Sequence, residues 1–257
     1  MATVLLAALL GGCSFLSKEA DATEVSSKAE TESPGATQES ETETAETEET
    51  QESHEAAEDE ESGEEETEDH FVEKKIVVAT DMHYFAEKLA GNRCDSFVGM
   101  ARGGDGRVLE YGWEVMDAFL DDMKEEDPDL LILSGDLTLD GEKASHEELA
   151  ELLEGLSEAG IEVAVIPGNH DINHPDARYT ADGAEKVESI TADEFRDIYA
   201  DFGYVAADSR DPASLSYLYK IDSANWVLML DSCQYEPKNE VGGMIRRETY
   251  EWMEPIL

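Results

Sequence analysis

Three short apolar runs, each ending abruptly in polar side chains, set the strongest limit on what this chain can fold into. They are Ile76-Val77-Val78-Ala79, Leu130-Leu131-Ile132-Leu133 and Val163-Ala164-Val165-Ile166. Apolar runs without alternation suit strands buried on both faces, and such strands need layers on either side. The intervals between them supply helices. Trp113, Met116, Phe119, Leu120 and Met123 recur at spacings of three and four, and that helix should stop before Asp127-Pro128, where the residue preceding proline disfavours helical backbone. Leu149, Leu152, Leu153 and Leu156 form a second stripe, with Ser145 and Glu148 as a capping-box pattern and Gly160 as its end. Thr191 and Glu194 cap a third helix that carries Phe195, Ile198, Tyr199 and Phe202. Strand candidates at 216–221 and 226–230 and a helix beginning near Arg247 complete the pattern. The alternation predicts an α/β fold with a largely parallel sheet. The stretch from Tyr84 to Arg107, with five glycines and no clear period, predicts a long loop.

The polar ends of the runs carry the chemistry. Ligands of open parallel sheets sit beyond the carboxyl ends of the strands, and all three clusters fall there. Asp81 and His83, two residues apart, should face the same way in an extended segment and could hold a divalent metal. Asp136 follows Gly135 at the end of the second run, and Asn169 and His170 follow the Pro167-Gly168 turn at the end of the third. Taken singly, each has a plain reading as a strand-end pair, a helix cap or a turn. In this order, each directly after a strand, they describe one site.

Charge narrows the partners. The chain of 257 residues carries a net charge of −45. From Lys18 to His70 there are 22 acidic residues against two lysines, so that segment holds −20 and the remainder −25. Both parts repel nucleic acid and anionic membrane surfaces, so no nucleic-acid-binding surface is expected. A site for phosphate esters in such a chain needs metal ions as its positive charge. Residues 17–70 are Glu, Thr, Ser and Ala with hardly any aliphatic side chain, a composition that predicts a disordered, extended tether. Ahead of it, Val4 to Leu10 is too short to span a bilayer but suits a signal-peptide core. Leu10-Gly11-Gly12-Cys13 resembles the lipobox of bacterial lipoproteins, which implies lipidation at Cys13 and an extracytoplasmic chain anchored to the cell membrane; no Lys or Arg precedes the run. The division is then a leader at 1–16, a tether at 17–70 and a folded domain at 71–257. Cys94 and Cys233 are read as unpaired thiols, because nothing in their spacing marks a bridge.

Asp81-Met82-His83, Gly135-Asp136 and Gly168-Asn169-His170-Asp171 together resemble the D-x-H, G-D and G-N-H-[DE] motifs of the calcineurin-like metallophosphoesterase superfamily, over roughly residues 74 to 257. The resemblance implies a four-layer α/β/β/α sandwich and hydrolysis of phosphomonoesters or phosphodiesters at a centre of two divalent metal ions. It implies that Asp81 and His83 hold the first ion, Asp136 bridges both, Asn169 holds the second, and His170 contacts phosphate and assists the leaving group. A carboxylate between two dications about 3.5–4 Å apart offsets their repulsion. Leu139 stands where the purple acid phosphatases place a tyrosine, which excludes that branch. The family's later histidine and G-H-x-H motifs have no counterpart after Asp171, where His174 lies too near the motif to serve, so the chain is expected to be cut before its last ligands. The loop from Tyr84 to Arg107 and the segment from His174 to Tyr179 are candidates for substrate contact; Arg93, Arg102 and Arg178 are the cations there, each with a plain reading as solvated or paired. The competing reading is a non-catalytic, metal- or ligand-binding surface lipoprotein that keeps the fold.

Overall fold

The computed structural model describes residues 73–103, 107–174, 177–237 and 239–257, together with the backbone of one strand near the amino terminus. Cys13 and the acidic stretch 17–70 lie outside the described residues. In chain order the strands are β1 (Thr3–Ala7), β2 (Ile76–Ala79), β3 (Leu130–Ser134), β4 (Glu162–Ile166), β5 (Ala177–Thr180), β6 (Gly183–Lys186), β7 (Ser209–Arg210), β8 (Tyr217–Lys220) and β9 (Asn225–Met229). The helices are α1 (Asp95–Gly103), α2 (Gly112–Glu126), α3 (Lys143–Glu158), α4 (Ala192–Ile198) and α5 (Arg247–Met253).

The three apolar runs become one parallel sheet in the order β2-β3-β4. Leu130, Leu131, Ile132 and Leu133 of the central strand are fully buried, each worth roughly 1.5–3 kcal/mol relative to an exposed side chain. β2 is the edge strand, and Val78 is 43% exposed, so the first run is half-covered rather than buried on both faces. The parallel arrangement stops at this sheet. β7, β8 and β9 pair antiparallel, because only a short turn separates β8 from β9 and a parallel crossover needs many more residues. Asp222 closes that turn by accepting from the backbone N–H groups of Ala224 and Asn225, both at 2.8 Å. β1 pairs parallel with β9 on the other edge, Val4 opposite Trp226. The two sheets share one core containing Val163, Val165, Tyr217, Val227 and Met229. A buried hydrogen bond from the Tyr217 hydroxyl to the Val165 carbonyl, 2.8 Å, ties them together. The architecture is therefore mixed α/β, with a parallel sheet, helices and a second, mostly antiparallel sheet.

Two local expectations are corrected. The stretch 84–107 is not a loop throughout: it contains a 3-10 turn, Glu87–Leu89, and α1. Phe85, Leu89, Phe97, Ala101 and Leu109 build a second small core, with the Phe85 and Phe97 rings stacked at 5.7 Å. Gly99 and Gly103 disfavour that helix locally, and packing overrides the propensity. The capping box expected at Ser145 and Glu148 does not form. α3 begins at Lys143, with Glu142 in the capping position and no side-chain cap. The buried first turn faces the 84–87 segment, so Ser145 Oγ accepts from the Ala86 N–H at 3.1 Å, and Glu148 accepts from the Tyr84 hydroxyl at 2.7 Å and the Glu87 N–H at 3.0 Å. At α4 the Thr191–Glu194 capping box is present in full. α2 stops at Glu126, and Asp127 turns the chain with a left-handed backbone.

Candidate functional site

The loops after β2, β3 and β4 meet at one end of the parallel sheet. Their backbones are joined directly: Asp81 N–H donates to the Gly135 carbonyl at 3.1 Å, His83 N–H to the Asp136 carbonyl at 2.9 Å, and Tyr84 N–H to the Leu137 carbonyl at 2.9 Å. Asp81, His83 and Asp136 all have positive φ, at 56°, 44° and 49°. Left-handed backbone costs a non-glycine residue roughly 1–2 kcal/mol, and such strain gathers where surrounding structure holds functional groups in place. The side chains of Asp81 and His83 converge for this reason, not through strand alternation, since neither residue is extended.

His83 Nε2 lies 3.9 Å from Asp81 Oδ1 and 3.9 Å from Asp136 Oδ2. Those separations exceed hydrogen-bond reach and leave room for an ion among three donors. His83 Nδ1 is buried with no hydrogen-bond partner among the described residues. Burial, and then the nearby Arg107, lower the His83 pKa, which favours the neutral imidazole that a metal requires. The donor set and spacing fit a divalent cation.

The Gly168 turn brings the third strand end against this group. A Cβ at Gly168 would overlap Asp136 N and Oδ1, so only glycine lets the two backbones approach this closely. His170 N–H donates to Asp136 Oδ1 at 3.1 Å. Asn169 lines a cavity of about 80 Å³ with Asp136, Thr80 and Ser232. It therefore lies beside Asp136.

Asp171 fastens the assembly from beneath. Its fully buried carboxylate accepts from Gly168 N–H at 2.7 Å, Leu137 N–H at 3.1 Å, Thr138 N–H at 2.9 Å and Thr138 Oγ1 at 3.0 Å. Burial pushes its pKa up to about 6. Behind it His146 lies between the Tyr199 hydroxyl and the Asp171 carbonyl, both at 2.9 Å. Burial lowers the His146 pKa to about 3, so this ring is a neutral structural bridge.

His170 is oriented by its other side. Nδ1 is 2.8 Å from the Leu139 carbonyl and 2.9 Å from Asp140 Oδ1. The hydrogen bond with Asp140 raises the His170 pKa, against the effect of burial. The His170 ring stands edge-on to His83 at 5.0 Å and stacks on His174 at 5.1 Å. Asp140 has no motif in the sequence; it reaches His170 only because Leu137 to Asp140 follow the turn set by Asp171. Arg107 closes the loop expected to contact substrate but is not singled out among its cations. It lines a cavity of about 360 Å³ that opens beside Asp81 and His83 and is otherwise mostly apolar, with Met82, Val108, Leu109, Val115 and Phe119 in its wall. The three arginines of the candidate substrate segments are paired, which is their plain reading: Arg93 with Glu114 at 2.8 Å, Arg102 with Glu110 at 2.9 Å, and Arg178 with Glu185 at 2.8 Å. Cys94 and Cys233 are free, as expected.

Comparison with known proteins agrees with the geometry. The chain is 46% identical over 141 residues to a probable cyclic nucleotide phosphodiesterase of Synechococcus sp.. That match takes in 54% of this chain and 41% of the relative, so the chain spans well under half the length of the curated protein that it matches. Residues 74–253 match the calcineurin-like phosphoesterases, a span that contains every strand end described above. With that match over most of its length, and with Asp81, His83, Asp136 and His170 gathered at one sheet end, this chain belongs to the calcineurin-like phosphoesterase family.

Proposed function

We propose that the domain carries a metal-dependent hydrolase of phosphoric esters, in which two divalent ions are held by Asp81, His83, Asp136 and Asn169. The observation that carries the reading is the placing of His83 Nε2 3.9 Å from a carboxylate oxygen of Asp81 and of Asp136, with His170 fixed beside them. When bound, the ions supply Lewis-acid activation of the phosphoryl group and of water. The chain's own residues do the rest. Asp136 would be the carboxylate shared by the ions, and Gly168 and Asp171 hold it against the loop that carries Asn169. His170, anchored through Nδ1 by Asp140, which raises its pKa, would present Nε2–H to the departing oxygen as general acid.

The apolar cavity beside Asp81 and His83 suits the organic group of a diester, and Arg107 at its wall suits the phosphate charge. The Synechococcus relative, a probable cyclic nucleotide phosphodiesterase, supports the diester over the monoester. The decisive assay is hydrolysis of bis-p-nitrophenyl phosphate with manganese, using the longest natural form of the protein. Wild type should turn over and Asp136→Asn should lose both metal affinity and rate. A protein that binds manganese but hydrolyses no phosphoester would leave only the binding-module reading.

We also propose that lipidation at Cys13 anchors the chain outside the cytoplasm, on the strength of Leu10-Gly11-Gly12-Cys13. No helix of the described residues is long and apolar enough to cross a membrane. Lipidation would remove β1 with the leader and open the β9 edge. Mass spectrometry of the membrane fraction tests this: an unmodified peptide that still contains residues 3–13 as the main form would sink it.

A further inference from the structure

A second group of metal-binding side chains lies on the far side of His170. Asp140 Oδ1 is 2.9 Å from His170 Nδ1 and 3.3 Å from His174 Nδ1, and the ligand atoms of all three residues lie within 4.8 Å of one another. Donors at about 2.0–2.2 Å from a tetrahedral zinc ion stand roughly 3.3–3.5 Å apart. The group is therefore almost at ligand spacing without an ion. The Leu139 carbonyl, 2.8 Å from His170 Nδ1, supplies a fourth donor beside it. Side-chain exposures of 14%, 24% and 35% for His170, His174 and Asp140 make the site sheltered yet open to entry.

The turn that builds this group is rigid. Asn173 has φ 52°, its N–H donates to the Ile190 carbonyl at 3.0 Å, and its side-chain amide donates to the Tyr235 carbonyl at 3.0 Å. Those bonds, with Asp171 fixed two residues earlier, bring the His174 ring back over His170, stacked at an interplanar angle of 25°. None of Asp81, His83 or Asp136 takes part.

We propose that Asp140, His170 and His174 form a further site for a zinc-class divalent cation, distinct from the group of Asp81, His83 and Asp136. Two imidazoles and one carboxylate are the donor set of borderline cations such as zinc, whereas calcium and magnesium prefer oxygen alone.

Cobalt(II) serves as the spectroscopic probe on the full chain. The Asp81→Asn/Asp136→Asn double variant, with the other group disabled, should still give the visible absorption of tetrahedral cobalt, and zinc should displace it. His174→Gln in that background should weaken cobalt binding about tenfold or more, and Asp140→Asn should do the same. No cobalt absorption in the double variant, or titrations unchanged by both further substitutions, would overturn the site. Absence of any hydrolysis, with cobalt still bound, refutes the proposed enzyme and not the site.

Discussion

Gly168→Ala is the sharpest test of how the candidate site is assembled. The glycine does not sit in left-handed backbone, so the substitution adds no φ strain and its effect is steric alone. The new Cβ would overlap the backbone N, Cγ and Oδ1 of Asp136, and a backbone nitrogen cannot rotate away. Relief requires the 134–137 and 167–170 segments to part by about an ångström. They are held together by the Asp171 carboxylate, which accepts from Gly168 on one segment and Leu137 on the other. Overpacking of this kind costs typically 1–3 kcal/mol, and the double tether points to the upper end, about 3 kcal/mol. A shift of about 1 Å in a site of this kind lowers turnover by roughly 10²-fold. Gly155→Ala is the matched control. That glycine lies within α3 with nothing within 4 Å of its would-be Cβ. It should therefore stabilise the domain by roughly 0.5–1 kcal/mol. Urea denaturation followed by tryptophan fluorescence gives both stabilities, and calorimetric titration with manganese gives metal affinity. A Gly168→Ala protein within about 0.5 kcal/mol of wild type, with unaltered manganese affinity, would show that the close approach at Asp136 is not what builds the site.

Two further substitutions probe the buried carboxyl groups. Burial raises the Glu142 pKa from 4.5 to about 7, so the folded domain holds a proton that the unfolded chain releases. Stability from this group is full below pH 4.5 and is lost as pH rises through 7, a decline of about 3 kcal/mol that Glu142→Gln should abolish in denaturation curves taken from pH 5 to 8; a variant with the wild-type slope would assign the decline elsewhere. Asp171→Ala strands three backbone N–H groups at roughly 1–3 kcal/mol each. Part of that is offset by no longer burying a carboxylate, leaving a net loss of about 3 kcal/mol at pH 7, checked by urea denaturation; a loss below about 1 kcal/mol would mean that water replaces the carboxylate.

The apolar runs, the helical stripes and the order of the polar clusters were legible in the linear chain. Each depends on local periodicity or on residues a few positions apart: β3 and β4 fall on the second and third runs, and the Thr191–Glu194 cap forms as its spacing demands. The same order was enough to bring Asp81, His83, Asp136, Asn169 and His170 to one sheet end, because parallel strands deliver their carboxyl-terminal loops to the same side. Tertiary structure decided the rest. Ser145 and Glu148 satisfy a capping pattern but are taken by partners 59 to 64 residues away. Phe85 and Phe97 belong to no sequence period, yet their stacked rings turn a glycine-rich stretch into a helix. Asp140 and Arg107 carry no motif and gain their place beside His170 and His83 only through the folds of neighbouring loops. Even the convergence of Asp81 and His83 came from left-handed backbone pinned by Gly135 and Asp136, a conformation that side-chain order alone does not encode. Sequence sets which groups reach the sheet end, since that follows from chain direction; only packing sets their angles and partners, since those follow from contacts made across the fold.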